Sequence, residues 1–257
     1  LPTSSAGFLG MTHLLYGIVS PGSWRQGSGH PHLLLPPGVG DAPVRLIEDG
    51  GLGAAVSTLN PPDLAPDLAR VLSFSRVVQA LHTGRTVLPM RYGCVFSSEG
   101  QVVNLLRARR ECYAAILRQL EGCEEMGVRI LLLERASQAV PPFCRGSAIG
   151  AGLGRAYLAA RTACYAQEEA VAQILATQTE RVRQALGGLA ERTETEPSRG
   201  SERPFSSLHF LVKRDAVESF RGAFRRIERT ESARLLLSGP WPPYNFVAAV
   251  EHAQAFG

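Results

Sequence analysis

One helical pattern, much longer than any other, limits what this chain can fold into. Apolar side chains recur at helical spacing in a single stripe between residues 153 and 186. The stripe consists of Leu153, Tyr157, Cys164, Val171, Leu175, Val182 and Leu186. At about 1.5 Å per residue, a helix of this length extends for roughly 50 Å. The sequence therefore predicts a helix that projects beyond one domain or packs along two.

Shorter patterns before this helix predict an α+β domain. A β-rich run at residues 14–19 precedes a β-hairpin pattern over 44–59, and a helix follows. The predicted buried face of that helix consists of Leu64, Leu68, Val71, Val78 and Leu81. A further strand over 86–96 is interrupted by Pro89 and Gly93, which favours an edge strand or a bend. One more helix completes this half of the chain.

The patterns around and after the long helix predict a ferredoxin-like half. A short apolar run at 128–133 is typical of a buried strand, and the long helix follows it. An edge strand over 190–196, a strand at 206–212, a helix at 215–226 and a strand at 233–237 then complete the set. The order is β-α-β-β-α-β, which is that of ferredoxin-like domains. The fold class is therefore α+β with two domains, the second ferredoxin-like and carrying the long helix.

These patterns place the domain boundary between residues 125 and 126. Pro141-Pro142 is the strongest break in the chain, but the strand before it supplies the first element of the ferredoxin-like order. We therefore expect an N-terminal α+β domain over 11–125 and a C-terminal ferredoxin-like domain with an extended tail over 126–257. Residues 1–10 resemble a cloning remnant before a native start at Met11 and lack the pattern of a signal peptide.

Charge and cysteine content exclude several partner classes. Basic residues outnumber acidic ones by 27 to 23, and Lys213 is the one lysine, so the excess is small and carried by arginine. This balance does not predict nucleic-acid binding. The five cysteines include no C-x-x-C pair, which favours reduced thiols in a cytoplasmic protein and no metal site. No apolar run approaches the ~20 residues that span a lipid membrane.

No motif in the chain predicts catalysis or a bound cofactor. The Gly-rich segment 146–154 lacks the preceding strand that a dinucleotide loop requires. The histidines of 30–32 have no third ligand nearby, and His82 is expected to be packed or to lie at a helix C-terminus. The pair Glu124-Glu125 is assigned to solvated helix faces, as is 168–169. We therefore expect no enzyme; the alternatives are a ferredoxin-like regulatory module that binds a small ligand and an unrecognised active site.

The closing segment 239–246 (GPWPPYNF) has the most unusual composition in the chain. Consecutive prolines favour an extended backbone, and Trp241 and Tyr244 add large amphipathic surfaces. Two interpretations remain open. The segment either folds back as a rigid chain exit onto its own sheet, or exposes an aromatic and proline patch to a partner.

Four blocks resemble the GvpF/GvpL family of gas vesicle proteins, in the same order and across nearly the whole chain. Residues 16–18 (YGI) are similar to the family's first strand, and 157–161 (YLAAR) to its helix motif. The more specific blocks are 86–99, which contains TVLPMRYG, and the closing GPWPPYNF. Cys94 stands where a threonine is usual, and Asn245 where serine is common.

The resemblance implies a non-catalytic accessory protein of gas vesicles, the cellular buoyancy structures, located in the cytoplasm and at the vesicle. It implies that the partners are the small hydrophobic gas vesicle shell protein and other gas vesicle accessory proteins. Because a shell subunit must expose apolar surface before it assembles, we expect an accessory protein to cover that surface with aromatic or apolar patches or with a sheet edge. The candidate contacts are the strand interrupted by Pro89, the closing segment 241–246 and the long helix. The residues assigned to that contact are Pro89, Arg91, Tyr92, Trp241, Pro242, Pro243, Tyr244 and Phe246.

Overall fold

A computed structural model describes residues 11–20, 35–59, 65–83, 85–132, 153–197 and 204–247. The chain divides into two units. The first contains residues up to Glu125 together with those from Trp241 onward, and the second is Met126–Pro240. The sequence analysis placed the whole of 126–257 in the second domain, whereas the closing segment lies in the first unit. Side-chain contacts described below explain this difference.

The first unit is built on one sheet. Its elements are β1 (Thr12–Val19), a 3-10 turn (Val39–Asp41), β2 (Val44–Asp49), β3 (Leu52–Leu59), α1 (Leu68–His82), β4 (Val87–Pro89), β5 (Val95–Phe96), α2 (Glu99–Ala108), α3 (Arg110–Gln119) and the start of β6 (Cys123–Leu131). The strand order is β2-β3-β1-β4, and β5 also pairs with β1. The strands β2 and β3 form the predicted hairpin, and β1 pairs with β3 in antiparallel register.

Helices cover this sheet on both faces, since every residue of β1 after Thr12 is buried. On one face α1 packs its apolar side against a core that includes Tyr16, Phe74 and Leu81. The side chain of Asp67 caps α1 by accepting a 2.8 Å hydrogen bond from the Arg70 N–H. The helices α2 and α3 pack against β2, β3 and β4.

The second unit has the ferredoxin-like fold that the sequence predicts. Its elements after β6 are α4 (Leu153–Gly187), β7 (Arg192–Pro197), β8 (Phe205–Lys213), a 3-10 turn (Arg214–Ala216), α5 (Val217–Glu228) and β9 (Arg234–Trp241). The strand order β7-β8-β6-β9 places the first and third strands of the unit at the centre of the sheet. Buried side chains from β6, α4, β8 and α5, including Phe210 and Phe220, form its core.

The long helix of the sequence analysis is confirmed, because α4 spans 35 residues. Its last two turns pack into the second unit through the buried side chains of Val182 and Leu186. Nearer its start, Leu158, Tyr165 and Ile174 are exposed. None of the helices in the described ranges is long and apolar enough to cross a membrane.

Candidate functional site

The interrupted strand of the sequence analysis becomes two short strands on the same neighbour. Both β4 and β5 pair with β1 in antiparallel register, with Pro89 opposite Gly17 and Phe96 opposite His13. Between them the chain loops outward at Gly93, whose φ of 93° lies in the region that favours glycine. The prediction of a bend at this position is therefore confirmed.

Within this segment, the three residues assigned to partner contact lie at different depths. Pro89 is buried, Tyr92 is half-buried and Arg91 is exposed. The ring of Tyr92 meets the Phe74 ring edge-on, with 5.5 Å between their centroids. The side chain of Arg91 is thus the part of the segment that a partner reaches most directly.

Another family block, around Tyr16 and Gly17, has a structural role in the same core. The Tyr16 ring stacks on Phe74 at 4.9 Å, and its hydroxyl lies 2.8 Å from the Ser57 hydroxyl. The Val39 N–H donates to the same hydroxyl at 2.9 Å. Burial raises the pKa of Tyr16. A Cβ at Gly17 would lie 2.8 Å from the Val87 side chain, so β4 approaches too closely for a larger residue.

The closing segment belongs mainly to the interior of the first unit. Pro242, Pro243 and Phe246 are buried, and Tyr244 packs against the core that holds Tyr16, Phe74 and Tyr92. The structure thus brings Tyr92 and Tyr244, from the two specific family blocks, to one core. Of the segment's five predicted contact residues, Trp241 is the exposed one, at 48%.

A carboxylate fixes the position of the closing segment. Glu125, which is 4% exposed, accepts hydrogen bonds from the Asn245 backbone N–H at 2.9 Å and from its Nδ2 at 2.6 Å. Burial, and then the negative charge of Glu125, raise the pKa of Tyr244 to about 12. A buried carboxylate with both donors in place holds the segment to the first unit.

The assignment of Glu124-Glu125 to solvated helix faces was wrong. Both residues lie in β6, where successive side chains point to opposite faces. Glu124 lies 2.6 Å from the Nε2 of His82, which is buried at the end of α1. The interpretation of His82 as a packed histidine is therefore confirmed. The strand predicted at 128–133 begins at Cys123 instead, which makes Glu125 buried and Glu124 half-buried, and no sequence signal identified this earlier start.

The start of α1 exposes an apolar surface that the sequence analysis assigned to the buried face. Leu68, Val71 and Leu72 are 75%, 39% and 46% exposed, and we call these three residues the α1 ridge. Leu68 and Val71 therefore contradict the predicted buried face, whereas Val78 and Leu81 confirm it and are buried beside Phe74 and Val77. Leu64, the remaining predicted member, lies outside the described residues. The wrong assignment followed from two apolar faces that share one helix, because spacing alone does not show which face meets the sheet.

Neither a metal centre nor a thiol pair emerges from the described residues. They contain no group of three or more His, Cys, Asp or Glu residues placed to hold a metal ion. Cys94, Cys112 and Cys123 carry free thiols, and Cys123 is buried. Residues 146–152 of the Gly-rich segment, the histidines of 30–32, Pro141-Pro142 and the segment 1–10 lie outside the described ranges.

Comparisons with known proteins agree across most of the chain. The family model described as gas vesicle synthesis protein GvpL/GvpF matches residues 12–248. Gas vesicle protein F of Streptomyces sp. (strain CB03234) is 30% identical over 92% of this chain and 100% of its own length. Gas vesicle protein F2 of Halobacterium salinarum is 25% identical over 80% of this chain and 82% of its own.

Solved structures share the fold. The crystal structure of the gas vesicle protein GvpF from Anabaena sp. PCC7120 superposes with a TM-score of 0.73, covering 92% of this chain and 96% of that one at 20% identity. The GvpF structure from Microcystis aeruginosa gives 0.70, covering 93% and 99% at 16% identity. At these identities the likeness shows that the fold is shared.

Proposed function

Because the chain belongs to the gas vesicle synthesis protein GvpL/GvpF family and so has an accessory role in gas vesicles, we propose that it binds the hydrophobic shell protein during assembly. A subunit that builds a gas-tight wall exposes a large apolar surface before it is incorporated, and such surfaces aggregate in water. A protein that covers this surface keeps the subunit available for assembly.

The α1 ridge is the observation that best supports this role. Leu68, Val71 and Leu72 are spaced i, i+3 and i+4, so their side chains form one continuous apolar strip on the helix. Exposed apolar residues with this spacing are typical of helices that dock into a hydrophobic groove or against a second amphipathic helix. We propose the α1 ridge as the main contact with the shell protein.

The residues assigned to partner contact divide into two groups under this proposal. Arg91 and Trp241 offer exposed side chains of the first unit to the shell protein or to other accessory proteins. The buried and half-buried members stabilise the fold of the first unit, and they affect binding only through that stability. These members are Pro89, Tyr92, Pro242, Pro243, Tyr244 and Phe246.

The proposed role requires neither turnover nor a cofactor, since covering apolar surface is a binding event. It places the protein in the cytoplasm and at the gas vesicle, where shell subunits are present. The family relationship supports the vesicle as the site of action.

Co-expression with the shell protein tests the proposal. The Leu68→Ser/Leu72→Ser variant removes two exposed apolar side chains from the α1 ridge, and we expect it to lose the complex in pull-down and to stop suppressing aggregation in light scattering. The matched control is Leu158→Ser/Ile174→Ser, which removes two exposed apolar residues from α4 in the second unit. We expect the control to retain the complex.

Two results would contradict the proposal. If the unmodified protein does not associate with the shell protein, direct binding is excluded. The accessory role would then depend on binding to other gas vesicle proteins. If both variants lose the complex equally, the contact is not confined to the α1 ridge. A separate Trp241→Ala variant shows whether the closing segment adds to the contact.

A further inference from the structure

A dense group of arginines lies along α5 and at the residue directly after it, Arg229. Arg221, Arg225 and Arg229 recur at every fourth residue, and Arg226 lies beside them. Residues four apart on a helix lie on the same face, about 6 Å along its axis from one another. We call Arg225, Arg226 and Arg229 the arginine row.

The core of the second unit fixes which way this helix faces. Val217, Phe220, Ala223 and Phe224 are buried, and the ring of Phe220 packs against Phe210 with 5.1 Å between centroids. With that face held against the sheet, the three members of the arginine row are exposed. Their position in solvent is therefore a fixed property of the fold.

The arginines along α5 differ in whether they have a bonding partner. Arg221 donates to Glu218 at 2.7 Å and to the Gly239 carbonyl at 3.4 Å. By contrast, no member of the arginine row forms an ion pair within the described part of the chain. The helix dipole favours cations at this end, but Arg225 and Arg229 repel each other at four-residue spacing. The row therefore presents to solvent three guanidinium groups that have no ion-pair partner in the described part of the chain.

We propose that the arginine row binds an acidic α-helical segment of a partner protein. Planar guanidinium groups pair with carboxylates through two parallel hydrogen bonds. Glutamates at i and i+4 of a facing helix repeat at the spacing of Arg225 and Arg229. The inference concerns the second unit and does not depend on the shell protein binding the α1 ridge.

A mixed charge pattern favours a protein over a polyphosphate. Glu228 is exposed between the arginines, and Glu231 follows them. The charges of a nucleic-acid strand are all negative and those of an anionic lipid surface are mainly negative, so these carboxylates oppose both. A protein helix that carries both signs pairs with Glu228 as well as with the arginines. The formal charge of +4 for the whole chain also gives little general attraction for polyanions.

Fluorescence anisotropy with the full-length chain tests the inference. The probe is a labelled, alanine-based helical peptide with two glutamates at four-residue spacing, and its control has the same composition with the glutamates adjacent. We expect tighter binding of the spaced peptide. In the Arg225→Glu/Arg229→Glu variant we expect at least a tenfold loss of affinity, because two attractive contacts become repulsive.

A matched variant separates local pairing from net charge. Arg76→Glu/Arg118→Glu makes the same charge change at exposed helical arginines outside α5, and we expect less than a twofold effect. Circular dichroism checks the fold of each variant. If Arg225→Glu/Arg229→Glu unfolds, Arg225→Gln/Arg229→Gln removes the charges without reversing them and is still expected to weaken binding clearly.

Several outcomes would overturn the inference. These are no binding of the spaced peptide, equal affinity for the two peptides, or an equal loss in the matched variant. Tighter binding to duplex DNA or to phosphatidylglycerol vesicles at the same salt concentration would assign the arginine row to phosphate recognition instead.

Discussion

The two units of this protein are completed in different ways. The second unit is one continuous stretch, Met126–Pro240, in which each strand and helix follows the last in the ferredoxin-like order. The first unit joins residues up to Glu125 with residues from Trp241 onward. Local patterns are enough to specify the second unit, whereas the first depends on contacts between residues that are distant in sequence.

The two units also differ in whether their charged side chains are buried or exposed. The first unit buries Glu125 and His82 and gives each a specific partner. Among the described residues of the second unit, the buried polar side chains are uncharged, namely Gln178, Thr179, Ser206 and Ser207. Its short ion pair between Glu180 and Arg183 is exposed. Buried pairs restrict geometry because an unpaired buried charge is costly, while exposed pairs contribute little.

The largest expected effect comes from the aromatic residues buried in each unit. Phe246→Ala should destabilise the first unit by roughly 3–5 kcal/mol, the usual cost of removing a buried phenylalanine. Phe210→Ala should cost the second unit about as much, since both side chains are fully buried. Hydrogen exchange followed by mass spectrometry locates each loss. Faster exchange in the second unit alone after Phe246→Ala would show that the closing segment does not support the first.

Removal of the Glu125 partner should have the next largest effect. Asn245→Ala deletes a 2.6 Å hydrogen bond to a buried carboxylate, and we expect a loss of about 2 kcal/mol. The matched change is Gln184→Ala, which deletes a 2.7 Å bond to the exposed Glu180 and should cost less than about 0.5 kcal/mol. Urea denaturation measures both. Equal losses would mean that burial of the carboxylate does not distinguish the two sites.

The first unit should lose stability at alkaline pH. The pKa of Tyr244 is raised to about 12, so the folded state retains a proton that the unfolded state releases near pH 10. The corresponding stability is fully present below pH 10 and is lost as the pH rises towards 12. We expect a loss of roughly 1–2 kcal/mol, allowing for solvent screening of a half-buried group. Tyr244→Phe should remove this part, and an unchanged alkaline profile would contradict it.

The smallest expected effect concerns the exposed ion pair of the second unit. Hydrogen bonds from Arg183, and then from Gln184, lower the pKa of Glu180 to about 2. Arg183→Gln should bring the pKa of Glu180 back towards its ordinary range in an NMR titration, with almost no change in melting temperature. A large drop in melting temperature would show that this surface pair contributes as much as the buried ones.

Local pattern was sufficient to predict most of the fold. The order of elements in the second unit, the length of α4 and the bend between β4 and β5 follow from hydrophobic periodicity together with Pro89 and Gly93. The offset of α1 was missed because Leu68 and Val71 continue an apolar stripe that the sheet does not cover. The position of the sheet decides which of two apolar helix faces is buried, and the spacing of residues in the sequence does not reveal that position.

The candidate site was only partly predictable for the same reason. The family blocks identified the closing segment, in which Phe246 is buried while Trp241 is exposed, and partner contact by this segment stays a prediction. The hydrogen bonds between Glu125 and Asn245 join residues 120 positions apart, and no local signal connects them. The buried role of Glu125 therefore became visible only in three dimensions.

The bond between Glu125 and Asn245 has a consequence for a chain that is still being synthesised. The strands and helices of the first unit leave the ribosome early, but Tyr244, Asn245 and Phe246 follow only after the whole second unit. Until then the core around Tyr16 lacks its last aromatic neighbour, and the Glu125 carboxylate remains without the donors of Asn245. The unit that is translated first is therefore the one that is finished last.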